Sequence, residues 1–162
     1  MQLRQTDILF GLDKGFISRL MDIGVKRTYE QGSILFGEGK SAHHFYILVK
    51  GRVKLSIGEG NRSIYMINHG GEAFGWSTLT GRYVYTSTAT CVAPTTLIVF
   101  DRDQIETIMA EDPANAMMFY KNLALTLGNR LSMVSSHLAD HLAVSDKVSY
   151  GTGQVQEIAE LV

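Results

Sequence analysis

The chain has 162 residues, of which 45% are hydrophobic and 19% are charged, and its formal net charge is −1. This length fits one domain with an extension better than two domains, and the near-neutral charge argues against a generally basic surface for nucleic acids. The single cysteine, Cys91, excludes an internal disulfide framework, and its apolar strand pattern favours a buried thiol. No apolar run is long enough for a transmembrane helix and the N-terminus lacks a signal-peptide pattern, so the sequence predicts a cytoplasmic protein without a membrane segment.

The first predicted element is a helix over residues 6–24. Apolar residues recur in it at helical spacing, first around Ile8 and then from Phe16 to Met21. Gly24 stands where a glycine commonly follows the last turn of a helix, so we expect the helix to end there.

From about residue 25 to residue 100 the hydrophobic period changes to two, which is typical of strands. The predicted strands, as the apolar runs delimit them, are 45–49, 53–57, 64–67, 83–86 and 96–100. Glycines separate these runs, and Gly58–Asn61 has the composition of a hairpin tip. Many short strands at near-regular spacing predict an antiparallel sandwich or barrel.

Helical spacing returns after Phe100. Asp101 is a candidate N-cap with Gln104 as its capping-box partner, and Pro113 can open a second, longer helix at its first turn. Apolar residues of this helix recur at steps of three and four: Met117, Tyr120, Leu123, Leu127, Leu131, Val134, Leu138 and Leu142. The first half of this stripe is expected to pack on the chain's own barrel, and the second half to form the seam of a homodimer.

The sequence therefore predicts three parts. Residues 1–112 form a β-roll with N-terminal helices, and 113–143 form a long dimerisation helix. Residues 144–162 form a linker, small and polar over 145–154, followed by a short terminal segment over 155–162 with room for two helical turns.

Four segments of the chain carry the patterns of one known family. In chain order they are Gln31–Gly39, Phe45–Val53, Gly71–Gly75 and Asn129–Leu131. They resemble, respectively, the glycine turn, the F-Y-I-L strand pair, the G-D-x-F-G segment and the R-L of the long helix in cyclic-nucleotide-binding domains of the catabolite-activator type. This resemblance implies an α+β, mainly β fold: a double-stranded β-helix, or jelly-roll, flanked by N-terminal helices and a long C-terminal helix.

The resemblance also implies a ligand site, built on a short turn after Gly75. In the family this segment reads F-G-E and is followed by R-S/T-A, with the Arg on the cyclic phosphate and the Glu on the ribose. Here Trp76 stands at the Glu position, and Ser87 best matches the Arg position. The ligand-binding residues expected from the resemblance are Phe74, Gly75, Trp76, Ser77, Thr78, Leu79, Ser87, Thr88 and Ser135.

These two replacements predict an altered ligand. A hydrogen bond to a charged group contributes about 1.5–3 kcal/mol, and a neutral Ser87 hydroxyl does not replace the planar donor fork of Arg. Arg82 is an alternative cation for the site. Trp76 either stacks on an aromatic ligand or fills the pocket itself. No cofactor is expected, and the ligand is a cyclic nucleotide or another small anionic or aromatic molecule.

The remaining patterns bear on the class of function. No nucleophile, base and orienting group occur in a catalytic frame, and no metal site is expected, so we expect no enzyme. A cupin-type metal enzyme is the weakest alternative, because adjacent His43 and His44 point to opposite faces of a strand. His137 and His141 share one face of the predicted helix at a spacing of four, as two zinc ligands would, but an exposed polar face is the favoured interpretation. The 20 residues after Leu142 are too few and too weakly basic for a helix-turn-helix, so direct nucleic-acid binding by this chain is not expected.

Two hypotheses remain open at this point. The first is a non-enzymatic ligand-sensing regulatory domain, either standing alone or serving as the sensor part of a transcription regulator. The second is a structural or interaction module whose pocket is closed by Trp76 and whose function lies in its dimer surface.

Overall fold

The computed structural model of the protein describes residues 7–141. Its helices are α1 (Lys14–Ile23), α2 (Arg102–Glu111) and α3 (Pro113–His141), with two short 3₁₀ turns at Asp7–Leu9 and Trp76–Thr78. Its strands are β1 (Val25–Tyr29), β2 (Ile34–Phe36), β3 (His44–Lys50), β4 (Val53–Ile57), β5 (Arg62–Ile67), β6 (Ala73–Phe74), β7 (Thr88–Cys91) and β8 (Thr95–Asp101).

The strands form two antiparallel sheets of four strands each. One sheet has the order β1-β8-β3-β6 and the other the order β2-β7-β4-β5. This arrangement confirms the predicted mainly β jelly-roll with flanking helices. Cys91 is buried in the interior between the sheets, as its sequence context predicts.

Strand β3 separates two aromatic cores. Consecutive strand residues point to opposite faces, so Phe45 and Tyr46 contribute to different cores. Tyr46 belongs to the interior cluster of the roll. Phe45 instead contacts Phe100 of β8 and Phe119 of α3. The centroid of its ring is 6.0 Å from that of Phe100 and 6.4 Å from that of Phe119. We call the side of β3 that carries Tyr46 its inner face, and the side that carries Phe45 its helix face.

The N-terminal prediction of one helix over 6–24 is wrong in its first half. Gly11 has a φ of +74°, which interrupts the helical path, and α1 begins only at Lys14. The helix does stop before Gly24, but that residue is extended rather than left-handed. The need for glycine there is steric, because a Cβ atom would lie 2.7 Å from Ile98 Cγ2 and 2.9 Å from Phe100 Cε1.

The predicted strand 83–86 is also wrong. Tyr83 has a φ of +54°, which no strand residue adopts, and only an isolated bridge joins Ser41 to Val84. The strand that pairs with β2 and β4 starts later, at Thr88. The apolar alternation around Val84 therefore belongs to a loop, in which the side chain of Tyr85 points into the interior.

The helices after the roll follow the sequence closely. Asp101 caps α2 by accepting hydrogen bonds from the backbone N–H groups of Asp103 and Gln104, which confirms the predicted N-cap. Pro113 opens α3, and the predicted end of that helix at 143 lies outside the described residues. The predicted linker and terminal segment, 144–162, lie outside them as well.

The structure divides into two compact units, one ending at Thr126 and the other beginning at Leu127. In the first unit the buried side chains of α3 include Ala116, Phe119 and Leu123. In the second unit Leu131, Val134 and Leu138 are exposed. The first turns of α3 therefore belong to the core of the first unit.

Candidate functional site

The site predicted from the sequence is a turn, Gly75–Leu79, which we call the site turn. It follows strand β6, whose Phe74 pairs with Tyr46 of β3. Gly75 has φ +83° and ψ +29°, a left-handed conformation that glycine adopts without a steric penalty. A Cβ atom there would lie 3.0 Å from the carbonyl oxygen of His44. Glycine is therefore required both by the backbone angle and by the close approach to β3.

The polar groups of the site turn are largely used to hold the turn itself. The backbone N–H of Thr78 donates to the carbonyl of Gly75 at 3.2 Å, and that of Leu79 to the carbonyl of Trp76 at 2.9 Å. The Thr78 hydroxyl donates to the carbonyl of His44 at 2.9 Å. These two N–H groups and the Thr78 hydroxyl are therefore engaged in hydrogen bonds within the protein.

The Trp76 side chain lies toward the helix face. It is half-buried, and its ring centroid is 5.8 Å from that of Phe45. Since Phe45 and Tyr46 point to opposite sides of β3, this contact places the indole on the side away from the interior of the roll. The two sequence-based interpretations of Trp76, as a platform for the ligand and as a plug in the pocket, stay predictions.

Tyr85 places its ring in the interior of the roll, beside the site turn. It is stacked on Phe36, with centroids 3.8 Å apart and planes 11° from parallel, and it is 5% exposed. Its hydroxyl donates to the carbonyl of His44 at 2.8 Å and accepts from the N–H of His44 at 3.0 Å. The same His44 carbonyl accepts the hydroxyl of Thr78, so Tyr85 and the site turn meet at one backbone group.

A second stacked pair completes this interior. Tyr46 and Phe74 have centroids 5.1 Å apart and planes 10° from parallel. Burial raises the pKa of the Tyr46 phenol far above its ordinary value, and the neighbouring Tyr85 raises it further. Tyr46 therefore stays protonated and neutral. Among the described residues that are buried, none carries a charged side chain.

The predicted residues Ser87 and Thr88 lie next along the chain. Ser87 is buried, two positions after Tyr85. The Thr88 hydroxyl accepts a hydrogen bond from the backbone N–H of Glu38 at 3.0 Å. The Glu38 carboxylate in turn accepts from the N–H of Gly58 at 2.8 Å. Thr88 therefore takes part in anchoring the Gly58 hairpin.

Two further candidates lie on the surface. Arg82 is exposed in the loop before Tyr85. Ser135 is exposed on α3, in the unit that begins at Leu127. The expected role of Ser135 in ligand binding stays a prediction.

The loop after the site turn connects it to helix α2, a contact that the sequence did not indicate. The N–H of Tyr83 donates to the carbonyl of Ser77 at 3.3 Å. The guanidinium of Arg102 lies over the Tyr83 ring, 4.7 Å from its centroid, and the Tyr83 hydroxyl is 3.5 Å from a carboxylate oxygen of Glu106.

The described part of the chain also bears on two other kinds of site, a metal centre and a membrane span. Within residues 7–141, no group of three or more His, Cys, Asp and Glu side chains is placed to hold a metal ion. His43 and His44 are both exposed at the start of β3. None of the helices in this range combines the length and apolar character that crossing a bilayer requires.

Comparison with known proteins agrees with this architecture. The sequence profile of the family described as cyclic nucleotide-binding domain matches residues 26–112. The catabolite activator protein of Thermus thermophilus superposes with a TM-score of 0.66 at 23% identity, covering 82% of this chain and 62% of that protein. At this level of identity the likeness shows the fold.

Two curated relatives are similar in sequence. A putative potassium channel protein of Rhodopseudomonas palustris is 24% identical over 134 residues, which are 83% of this chain and 32% of that protein. A CRP-like cAMP-activated global transcriptional regulator of Mycobacterium tuberculosis is 24% identical over 140 residues, which are 85% of this chain and 61% of that protein. The chain thus spans about a third to three fifths of the length of these relatives.

Proposed function

The chain belongs to the cyclic nucleotide-binding domain family, and we propose that it is a non-enzymatic regulatory domain that senses a small molecule at the site turn. The observation that carries this proposal is the geometry of that turn. Gly75 adopts a left-handed conformation, and the Thr78 hydroxyl fastens the turn to the carbonyl of His44. A ligand that disturbs the turn acts directly on β3 and on the residues packed against it.

We propose that the ligand differs from cyclic AMP and cyclic GMP. Trp76 stands where the family has its Glu, and the indole packs on Phe45 rather than facing the interior. Ser87 offers a neutral hydroxyl where the family has its Arg, and the interior is lined by neutral phenols and hydrocarbon. An anion buried without a charged partner is strongly disfavoured, so an uncharged aromatic ligand fits this interior better than a cyclic phosphate does.

The ligand proposal is testable through Trp76, which is the single tryptophan of the chain. Its emission should report any change at the site turn. We expect adenosine, a neutral aromatic probe, to shift the emission, and cyclic AMP at equal concentration to leave it unchanged. A saturable response to cyclic AMP at micromolar concentration would contradict the altered ligand. Silence toward every neutral aromatic probe tried would favour the second candidate function below.

We also propose that the domain acts as a homodimer through α3, within residues 113–143. Exposed apolar residues recur in the second half of this helix at steps of three and four positions, namely Leu131, Val134 and Leu138. Such spacing is typical of a helix that packs against a partner helix. A change at the site turn would then be passed to α3 and to the partner. Since one relative is by name a cAMP-activated transcriptional regulator, we propose transcription regulation as the output.

The dimer can be tested with two leucines of α3, of which one lies on the apolar stripe and the other lies off it. Leu131 lies on it and is 67% exposed, whereas Leu125 lies off it and is 65% exposed. We expect Leu131→Glu to shift the protein to monomers in sedimentation-equilibrium runs and Leu125→Glu to leave the mass unchanged. Equal behaviour of the two variants, or a monomeric wild type, would contradict this seam.

A structural or interaction module is the second candidate function, and one observation favours it. The interior beside the site turn is filled by the stacked rings of Phe36 and Tyr85. We propose that in this case Tyr85, rather than Trp76, closes the pocket. A domain that stays closed in this way would act through its dimer surface alone, and no small molecule would change the Trp76 emission.

A further inference from the structure

The segment Tyr83–Tyr85 connects the interior of the roll with helix α2, and we call it the bridging segment. Its inner end is Tyr85, which is buried against Phe36 and hydrogen-bonded to both backbone groups of His44. The ring therefore occupies the space under the site turn as a side chain of the protein itself.

The outer end of the bridging segment is Tyr83, which is 45% exposed. Its ring lies under the guanidinium of Arg102, and its hydroxyl is 3.5 Å from the Glu106 carboxylate. Both partners belong to α2. Arg102 is held in turn by Asp103, through a contact of 3.2 Å, and by the carbonyl of Ala42, which its Nη1 approaches to 3.2 Å.

The backbone between the two rings is fixed on both sides. Tyr83 donates to the carbonyl of Ser77 in the site turn at 3.3 Å, and its own carbonyl accepts from Ala42 at 2.7 Å. Tyr85 donates to the carbonyl of Lys40 at 2.9 Å and accepts from Gly39 at 2.9 Å. These four bonds hold Tyr83 and Tyr85, which are separated by one residue, in a single backbone segment.

Tyr83 also carries backbone strain. Its φ of +54° lies in the left-handed region, which a bulky residue rarely adopts unless its surroundings hold it there. The contacts to Arg102 and Glu106 on one side and to Ser77 on the other supply that hold. Loss of either set should therefore let the segment relax.

We propose that Tyr85 is a built-in occupant of the ligand site and that the bridging segment couples its position to α2. This inference rests on the proposed function in one respect, since a ligand entering under the site turn would have to displace the Tyr85 ring. Displacement of that ring pulls Tyr83 away from Arg102, and α2 then loses one of its contacts to the loop. The coupling itself is a property of the protein without ligand.

The test uses the ligand-free protein and NMR spectroscopy. The guanidinium of Arg102 lies over the Tyr83 ring, so we use the chemical shift of the Arg102 Nε–H proton as the reporter of that stacking. Tyr83→Ala gives the reference shift without a ring. We expect Tyr85→Ala to move the Arg102 signal toward that reference. Tyr85→Phe, which keeps the ring and loses only its hydroxyl bonds, should move the signal in the same direction by less.

The matched control is Leu55→Ala, which opens a cavity in the same interior cluster but on strand β4. It should leave the Arg102 signal where it is in the wild type. If Tyr85→Phe folds and neither it nor Tyr85→Ala moves the signal, or if Leu55→Ala moves it equally, the coupling does not exist.

Coupling between two sites is reciprocal, which provides a second measurement from the other end. Arg102→Ala should speed hydrogen exchange of the His44 amide, which donates to the Tyr85 hydroxyl, by about tenfold. Arg19→Ala, which removes an exposed arginine paired with Glu111 and Asp112, should not. An unchanged His44 amide in Arg102→Ala would overturn the proposal.

The outcomes separate this inference from the proposed function. If the coupling is present and no small molecule binds, the proposed role of the bridging segment is supported and the sensing proposal fails. If a small molecule binds while Tyr85 and Arg102 respond independently, sensing stands and the bridging segment fails.

Discussion

The two faces of strand β3 are both aromatic, yet they differ in polarity. On the helix face, Phe45 is surrounded by Phe100, Phe119 and the half-buried Trp76. On the inner face, Tyr46 and Tyr85 bring hydroxyl groups into the interior, and Tyr85 bonds to the backbone of β3. The helix face therefore stabilises the attachment of helices to the roll. The inner face carries hydroxyl groups whose hydrogen bonds a ligand would replace with its own.

The site turn contacts both faces. Trp76 reaches the helix face through Phe45, and Thr78 reaches the His44 carbonyl that the Tyr85 hydroxyl also binds. The site turn therefore links the two faces through neighbouring residues. The following substitutions separate the contributions of the two faces.

Phe45→Ala should have the largest effect on stability. The side chain is 1% exposed and contacts three aromatic rings, and deletion of a fully buried Phe costs about 3–5 kcal/mol. Urea unfolding followed by circular dichroism would measure the change in the free energy of unfolding. A loss below about 1 kcal/mol would mean that the helix face is not the main support of the fold.

Gly24→Ala tests how tightly α1 and β8 approach each other beside the same core. The new methyl group would lie 2.7 Å from Ile98 Cγ2, and overpacking of this kind costs about 1–3 kcal/mol. Gly15→Ala is the control, because a Cβ atom there meets nothing within 4 Å and alanine favours the interior of α1. If both substitutions stabilise the protein, the close approach at Gly24 is not real.

Tyr85→Phe tests the polarity of the inner face. It keeps the ring on Phe36 and leaves the N–H of His44 without its acceptor, which costs about 1–3 kcal/mol when the group stays buried. Tyr83→Phe, the control, removes a hydroxyl from an exposed residue and should change stability much less. If thermal unfolding shows equal losses of stability in the two variants, the Tyr85 hydroxyl contributes no more to stability than an exposed hydroxyl does.

Trp76→Phe should have the smallest effect. A phenyl ring can keep part of the contact with Phe45, and the residue is half-buried, so the expected loss is below about 1.5 kcal/mol. A much larger loss, measured by the same unfolding experiment, would show that the indole contributes more to the fold than its contact with Phe45 indicates.

Much of the fold could be predicted from the sequence. The period-two runs and the glycines between them indicated the jelly-roll, and Asp101 and Pro113 marked the starts of α2 and α3. The errors lie at Gly11 and Tyr83, where positive φ angles interrupt a regular pattern. Such angles are set by tertiary contacts and leave little trace in hydrophobic spacing.

The candidate site was less predictable. The motif located the site turn, but the direction of the Trp76 ring depends on its contact with Phe45, which is 31 positions away in the sequence. Tyr85 was missed because its alternation was interpreted as part of a strand. Its partners, Phe36 and His44, are brought to it only by the fold.

The measurement that tests this account most directly is isothermal titration of cyclic AMP and cyclic GMP into the wild type and into the double variant Trp76→Glu/Ser87→Arg. The account predicts no binding by the wild type and weak binding by the double variant, in which the two family residues are restored but a nucleotide must still displace the Tyr85 ring. Micromolar binding of either nucleotide by the wild type would contradict it, and the chain would then be an ordinary cyclic-nucleotide receptor.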